Sequence, residues 1–466
     1  MESSNAKRID DLLLDIKETA ASVKILTFRG EHLRADGAKT LAAYDMPNLR
    51  VLDLVDMQIE EAGAAYLAAN TTWVNLRELF LKGNKLKDTG VANLAPNKSW
   101  RDLEILGLVE NDFGSKGIEA LASNTTWTNL LQLHLSSNAI GAEGAGKLAE
   151  TKTWSKLEML FLINNSLGSE GAAKLALNNT WNDLKILSLS FNDIGDEGIT
   201  ALAANTTWTN LQTLELMGNK IGAAGAAKLG ANSVWNQLKE LDLAQNNIEE
   251  AGAKGLAANE SWKNLETLNL ATSNLGDKGA VTLASNSSWS KLRYLSLQQN
   301  NIGDAGAAAI SANTTWKDLR ILYLSSNELS NEGLAKLGAN STWNKLEELD
   351  VCENKFGDEG IAGLAENSAW VNLETLLLSE NKLTDKGLLK LAANKSWKKL
   401  GILELNSIPI TDEAVVKLAS NPSWSKLHSI ELPEDGLKEP TIAILETIRN
   451  RSLMQIVAGT ESADST

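Results

Sequence analysis

The sequence predicts an α/β solenoid, a horseshoe of about 16 stacked units with a concave parallel β-sheet and convex helices. Three observations carry that prediction. All 14 tryptophans, from Trp73 to Trp424, follow one another at intervals of 27 residues without a slip. Leucines, rarely another aliphatic residue, fall three, six and eight positions after each Trp, and the last two share one side of a short strand. An Ala-rich stretch with Gly at position 17 and Leu at position 21 then reads as helix. One such unit cannot bury both its faces, so the units must stack.

Each element follows in chain order. Ile9, Leu12, Leu13 and Ile16 have helical spacing, so residues 1–22 are expected to form a helix capping the open end of the core. Repeats fill 23–438; the unit at 23–42 is one residue short, and in the next Met46 replaces Trp, with Leu49, Leu52, Leu54 and Ile59 in register. In the unit of Trp208, Leu214 and Leu216 point to the core side of the strand and Thr213, Glu215 and Met217 to the other, and Asn219 is placed to satisfy backbone groups at the bend after the strand. Acids two residues before the helix Gly, such as Asp196, Asp277, Asp304, Asp358 and Asp385, are expected to cap their own helices. The closing Asn, as at Asn232, suits a left-handed helix stop. The tryptophans are expected to stack as a structural column, each N–H finding an acceptor. Residues 439–458 form the C-terminal cap, with a helix at 439–450 and an edge strand at 452–457, and 459–466 are expected to be disordered.

The segment "LQTLELMGNKI" (211–221) is L-x-x-L-x-L-x-x-N-x-L/I. With the downstream G-x-x-x-L-A-x-N, the unit resembles the ribonuclease-inhibitor-type class of leucine-rich repeats. That resemblance covers about residues 23–445 and implies the horseshoe fold and a non-enzymatic scaffold for protein–protein interaction. The class also includes the Ran GTPase-activating protein, which makes regulation of a small GTPase the alternative, with Arg29 on the first strand as the candidate arginine. The chain departs from the ribonuclease inhibitor in its single cysteine and its Trp in each repeat, and it lacks the long acidic tail of the Ran activator.

Composition excludes several chemistries. Cys352 alone rules out a disulfide framework and a Cys-based zinc site. His32, His134 and His428 fall in different repeats, too far apart for a shared metal or a triad, and no P-loop, G-x-S-x-G or H-E-x-x-H occurs. No catalytic residue, metal or cofactor is therefore assigned. The net charge of −15 disfavours nucleic acid and anionic lipid and favours a basic partner. No stretch is apolar enough to span a membrane, and the N-terminus lacks the apolar core of a Sec-type signal, so the chain is expected to be cytoplasmic or exported by another route. Asn-x-Ser/Thr sequons recur at one repeat position (Asn70, Asn97, Asn124, Asn205, Asn259, Asn286, Asn313, Asn340, Asn394), where a structural role is expected.

Partner choice should lie on strand positions that face inward and vary, the fifth, seventh, ninth and tenth residues after each Trp. There acids outnumber bases 14 to one, Lys82 being the base. Acids occupy equivalent positions in successive repeats, as Glu215 with Asp242, Glu353 with Glu380, and Glu404 with Glu431; such pairing is destabilising, so stability alone would not favour it. Phe80, Val109, Met159, Phe161, Phe191 and Met217 add an apolar stripe, joined by His134, Tyr294 and Tyr323. With Glu240, Glu348 and Asp350, these are the candidate contacts for a protein or peptide with a basic surface. Glu215, Glu240 and Asp242 also present the composition of a cation cluster, without the carbonyls of a calcium loop. Glu348 and Asp350 are a carboxylate pair for a carbohydrate-binding alternative, on an open sheet that lacks a cleft.

Overall fold

The computed structural model describes residues 9–28 and 32–461. They fall into two compact units, one of residues 1–221 and 232–238, the other of 222–231 and 239–466. Arg29 lies outside the described residues.

The first unit starts with the helix Ile9–Thr19 and a short 3-10 turn at Ala20–Ser22. Its strands are β1 (Ile25–Thr27), β2 (Val51–Asp53), β3 (Glu78–Phe80), β4 (Ile105–Gly107), β5 (Gln132–His134), β6 (Met159–Phe161), β7 (Ile186–Ser188) and β8 (Thr213–Glu215), each pairing in parallel with the next. Partners lie one repeat apart, as Leu79 beside Leu106 and Leu106 beside Leu133. The first step, Ile25 to Val51, is one residue shorter, as the sequence of that unit requires. A helix follows each of β1 to β7, from Arg34–Ala42 to Gly195–Ala203.

The second unit repeats the plan. Its strands are β9 (Glu240–Asp242), β10 (Thr267–Asn269), β11 (Tyr294–Ser296), β12 (Ile321–Tyr323), β13 (Glu348–Asp350), β14 (Thr375–Leu377), β15 (Ile402–Glu404) and β16 (Ser429–Glu431), again parallel and in chain order. The last helix, Glu439–Glu461, runs straight through 452–457, where an edge strand was expected, and into the tail. "SLMQIV" holds no Gly or Pro, and a short apolar run has no period of its own, so a helix already nucleated at Glu439 simply propagates. Both units thus have the strand–turn–helix architecture that the repeats predict.

The core is built from the leucines and the tryptophans. Trp73 through Trp397 have no exposed surface. Neighbouring indoles stack, with ring centroids 6.2 Å apart for Trp100 and Trp127 and 6.5 Å for Trp208 with each of Trp181 and Trp235. The expected acceptors are mostly missing. Trp73 Nε1 donates to the Tyr44 carbonyl at 3.3 Å, but the ring nitrogens from Trp100 to Trp424 have no partner among the described residues. Stacking and burial hold the column.

Two polar ladders lie on either side of the leucines. Asn84 Oδ1 accepts from the amides of Met57 and Ile59 at 3.0 and 3.1 Å, while its Nδ2 donates to the carbonyls of Leu54 and Leu81. Asn327 does the same for Asn300 and Ile302 in the second unit. Where Ser273 replaces Asn, its hydroxyl reaches the Leu243 carbonyl only at 3.4 Å. The closing Asn forms the other ladder. It is not a left-handed stop, for Asn70 and Asn313 have extended backbones (φ −69° and −67°). Its amide bridges instead: Asn124 Nδ2 donates to Ala95 in the preceding repeat at 2.7 Å, and Oδ1 accepts from the amides of Thr126 and Trp127.

The helix acids also act across repeats. Asp277 Oδ1 accepts from the amides of Gly303 and Gly306, both at 2.8 Å, at the start of the following helix, Asp304–Ala312. Asp304, Asp358 and Asp385 likewise accept from Ser330, Thr384 and Thr411 in the next unit. Asp358 is the first residue of its own helix rather than the residue before it, so its side chain is past the point from which it could cap that helix.

Candidate functional site

In strands such as β3, β6, β10 and β12 the middle Leu is buried and the flanking residues are half-buried, an outward-facing pair; in β4, β7, β11 and β13 the third residue is buried as well. The parallel register sets those residues in rows. In the first unit, Asp53, Phe80, Gly107, His134, Phe161, Ser188 and Glu215 stand side by side. His134 stacks on Phe161 with centroids 4.5 Å apart, and its Nε2 lies 3.3 Å from Gln132 Oε1. Burial pushes the His134 pKa below its ordinary value, so the ring is a neutral aromatic at pH 7. Phe80 leans over Gly107, where an added Cβ would lie 3.0 Å from its Cδ1. Phe80 is therefore separated from His134 by a strand without a side chain. Val109, Met159 and Met217 are half-buried around this row.

Phe191 sits on the turn after β7 with a positive φ of 57° and is 45% exposed. A bulky residue in that conformation is unfavourable unless something holds it. Its ring covers Gly218, which has φ +66° and where a Cβ would fall 2.5 Å from Phe191 Cδ1. At the unit's end, Glu215 accepts from the Ser188 hydroxyl at 2.5 Å.

The second unit's face is polar and acidic. Asp242 accepts from Asn269 Nδ2 at 3.2 Å, and Glu240 lies two residues before it on β9. Tyr294 and Tyr323 meet edge to face, with centroids 5.4 Å apart and ring planes at 82°. The Tyr323 hydroxyl donates to Glu348 Oε1 at 2.9 Å. Burial first, then the Glu348 carboxylate, pushes the Tyr323 hydroxyl well above the usual phenol range. Asp350 accepts from the Cys352 amide at 2.9 Å and from Gln298 Nε2 at 3.1 Å. Burial, aided by Asp350, also raises the Cys352 thiol, so it stays protonated and unreactive. Farther along, Glu353 accepts from Ser326, Glu404 accepts from Ser379 and Asn406 and pairs in register with Glu431, and Glu380 is exposed.

The hydrogen-bond partners of Glu215, Glu348, Asp350, Glu353 and Glu404 are neutral groups. Elsewhere acids meet bases: Arg77 with Glu104 at 3.2 Å, Lys185 with Glu158 at 2.8 Å, Arg293 with Glu266 at 3.0 Å, and Arg320 with Glu347. On the faces, Lys82 with Glu110 at 3.1 Å is such a pair, and among the described residues Glu215, Glu348, Asp350, Glu353, Glu380 and Glu404 enter none. The sequence already pointed to the acids. It gave no sign of the donors that fix them, because Gln298 reaches Asp350 diagonally across two strands, a contact that a one-repeat period does not display.

The other candidates separate. His32, His134 and His428 stay apart: His32 contacts the Asp56 carbonyl, and His428 lies against Gly401. Among the described residues, no group of three or more His, Cys, Asp or Glu is arranged to hold a metal ion, and no helix is long and apolar enough to cross a membrane. The buried indoles offer no surface to a ligand, in keeping with a structural column. The sequon asparagines are buried too, with their amide nitrogens occupied, as in Asn205 and Asn340.

Comparison with known proteins gives the following. The family described as Leucine Rich repeat matches nine stretches, 128–149, 182–203, 209–230, 236–257, 263–284, 290–311, 317–338, 344–365 and 371–392. No curated protein matches the chain. Among solved structures, the fold is similar to an internalin from Listeria monocytogenes, with 22% identity over 84% of this chain and 92% of that one and a TM-score of 0.51. It is equally similar to a protein of Leptospira interrogans, with 23% identity over 90% and 98% of the two chains and a TM-score of 0.51.

Proposed function

The chain is a leucine-rich-repeat protein, and on that premise we propose that it is a non-enzymatic scaffold whose sheet face binds a protein or peptide with a basic surface. One observation supports this above the others. Glu348, Asp350 and Glu404 on the sheet face are held by hydroxyls and amides, whereas Glu104, Glu158 and Glu266 along the sheet's flank are paired with Lys or Arg. A carboxylate fixed in place but not neutralised projects its field outward, and such a field steers a cationic partner and selects against an anionic one. The half-buried aromatics, Phe80, Phe161 and Phe191 in the first unit and Tyr294 and Tyr323 in the second, supply the apolar contact that charge alone does not.

Selection of a random peptide library on the immobilised protein tests this. The expected enrichment is for Arg- and Lys-bearing peptides with an aromatic or aliphatic residue. It should weaken as salt rises and collapse in the triple variant Glu353→Lys, Glu380→Lys, Glu404→Lys, the first two positions being exposed and the third half-buried; circular dichroism checks that the variant is folded. Enrichment of neutral or acidic peptides, or enrichment that the triple variant leaves intact, overturns the proposal.

A further inference from the structure

Asp350 is the least comfortable acid on the second unit's face. It is only 7% exposed, yet both its oxygens are met by neutral donors, the Cys352 amide and Gln298 Nε2. Hydrogen bonds of that kind orient a buried carboxylate without cancelling its charge, and a nearly buried charge without a counter-charge is unfavourable. Glu348, two residues earlier on the same strand, is likewise held by a neutral group, the Tyr323 hydroxyl. Beside them stands an aromatic corner, the rings of Tyr294 and Tyr323 set at 82°. The four residues come from three consecutive strands, β11, β12 and β13: Tyr294 shares a row with Ile321 and Glu348, and Tyr323 stands in the adjacent row beside Asp350.

Two rings set edge to face at nearly a right angle leave a corner walled by one π face of each ring, and with two carboxylates behind it that corner forms a receptor for a cation. A metal ion does not fit, because no cluster of its ligands is present among the described residues and a phenol ring face is a poor ligand for a hard cation. We propose that Tyr294, Tyr323, Glu348 and Asp350 form a socket for one arginine side chain carried by the partner, a proposal that rests on the sheet-face function above. Arginine suits the socket better than lysine. Its guanidinium is planar, stacks on an aromatic face, and presents a fork of donors to carboxylates at the ring's edge. It is also less strongly hydrated than an ammonium, which favours it beside a carboxylate this far from water. Tyr323 then has two tasks: its ring is one wall, and its hydroxyl keeps Glu348 turned toward the corner.

The chain has four tyrosines, Tyr44, Tyr66, Tyr294 and Tyr323, so the test can be read at the socket itself. Ring-13C tyrosine gives few NMR signals, and Tyr44 and Tyr66 in the first unit serve as internal controls. N-acetyl-arginine-N-methylamide is expected to move the Tyr294 and Tyr323 signals saturably and leave the controls in place. The citrulline counterpart, equal in shape but uncharged, should bind at least about tenfold more weakly, and Asp350→Asn should weaken arginine by a similar factor. Unmoved Tyr294 and Tyr323 signals, equal binding of citrulline, or equal binding of the lysine counterpart overturns the proposal. The citrulline comparison uses the unaltered chain, so it decides the matter even if Asp350→Asn fails to fold. Basic peptides enriched from the library with the tyrosine signals still would leave the face and remove the socket. Shifted signals without such enrichment would do the reverse.

Discussion

Trp208 shows what a single repeated side chain does here. It has no exposed surface and lies between two further indoles at 6.5 Å on either side. Removing the ring leaves a cavity that its stacked neighbours cannot close, so Trp208→Ala should lower stability by about 3–5 kcal/mol. Denaturant titration measures that loss, while the library profile should stay the same; normal stability with a changed profile would make the column a binding element after all. The spacing of the tryptophans told their depth correctly, because only a core position keeps step with core leucines through every unit. It could not tell that their N–H groups lack acceptors, since that depends on which atoms of the neighbouring repeat face the ring. Phe191 was legible as an exposed aromatic but not as one in a left-handed turn, which Gly218 in the next repeat makes room for.

At the level of the element, the helices depend on their neighbours more than on themselves. Asp277, Asp304, Asp358 and Asp385 each serve the helix of the following repeat, so these local sequence signals were read correctly as caps and assigned to the wrong helix. The register supplies the reason: a carboxylate at the first helical residue faces the amides one repeat on, and its own lie behind it. For Asp358, burial raises the carboxyl pKa, but bonds from the Thr384 hydroxyl and from the Thr384 and Gly387 amides outweigh it, and the net shift is downward. Asp412 is also lowered, mainly by the Thr441 hydroxyl and the Lys438 amide. A carboxyl with a depressed native pKa contributes stability above its unfolded value and loses it as pH falls through the native one. The melting temperature should therefore be flat above about pH 5 and drop below about pH 4, and Asp358→Asn should remove part of the drop. Asp358→Ala should cost about 1 kcal/mol, as loss of a helix cap does. A pH profile unchanged by Asp358→Asn would show that the cross-repeat cap contributes nothing.

For the molecule as a whole, period is the property that matters. The strand pairs of the second unit join residues one repeat apart, so excising residues 263–289 would bring the β9 row against the β11 row with all ladders in step. That variant should fold with the same helix and strand content per residue by circular dichroism. Deleting 263–275 alone, which breaks the period, should not. If both deletions fold equally well, stacking in register is not what specifies the structure. The two units also differ in the weight of their chemistry, with Phe, His and Met side chains on the first unit's face and most of the face carboxylates, beside Tyr294 and Tyr323, on the second. The fold was legible almost entirely, because it is a periodic signal repeated many times. The candidate face was legible only as a list of outward positions, because the contacts that give it meaning join residues of different repeats.

The asparagines that close the repeats have a consequence for the order of events in the chain's life. Asn124 and Asn205 carry the sequence read by an oligosaccharyltransferase, yet in the folded protein their amide nitrogens donate inside the structure. The enzyme can reach them only before the repeat has docked, and a sugar attached then occupies the nitrogen that docking needs. Wherever that transferase is present, synthesis becomes a race in which each repeat must close ahead of its own modification. A chain made in a glycosylating secretory pathway should accumulate as a sugar-bearing, unfolded product. Replacing the sequon Ser or Thr with Ala, as Ala369 already does beside Asn367, should restore it.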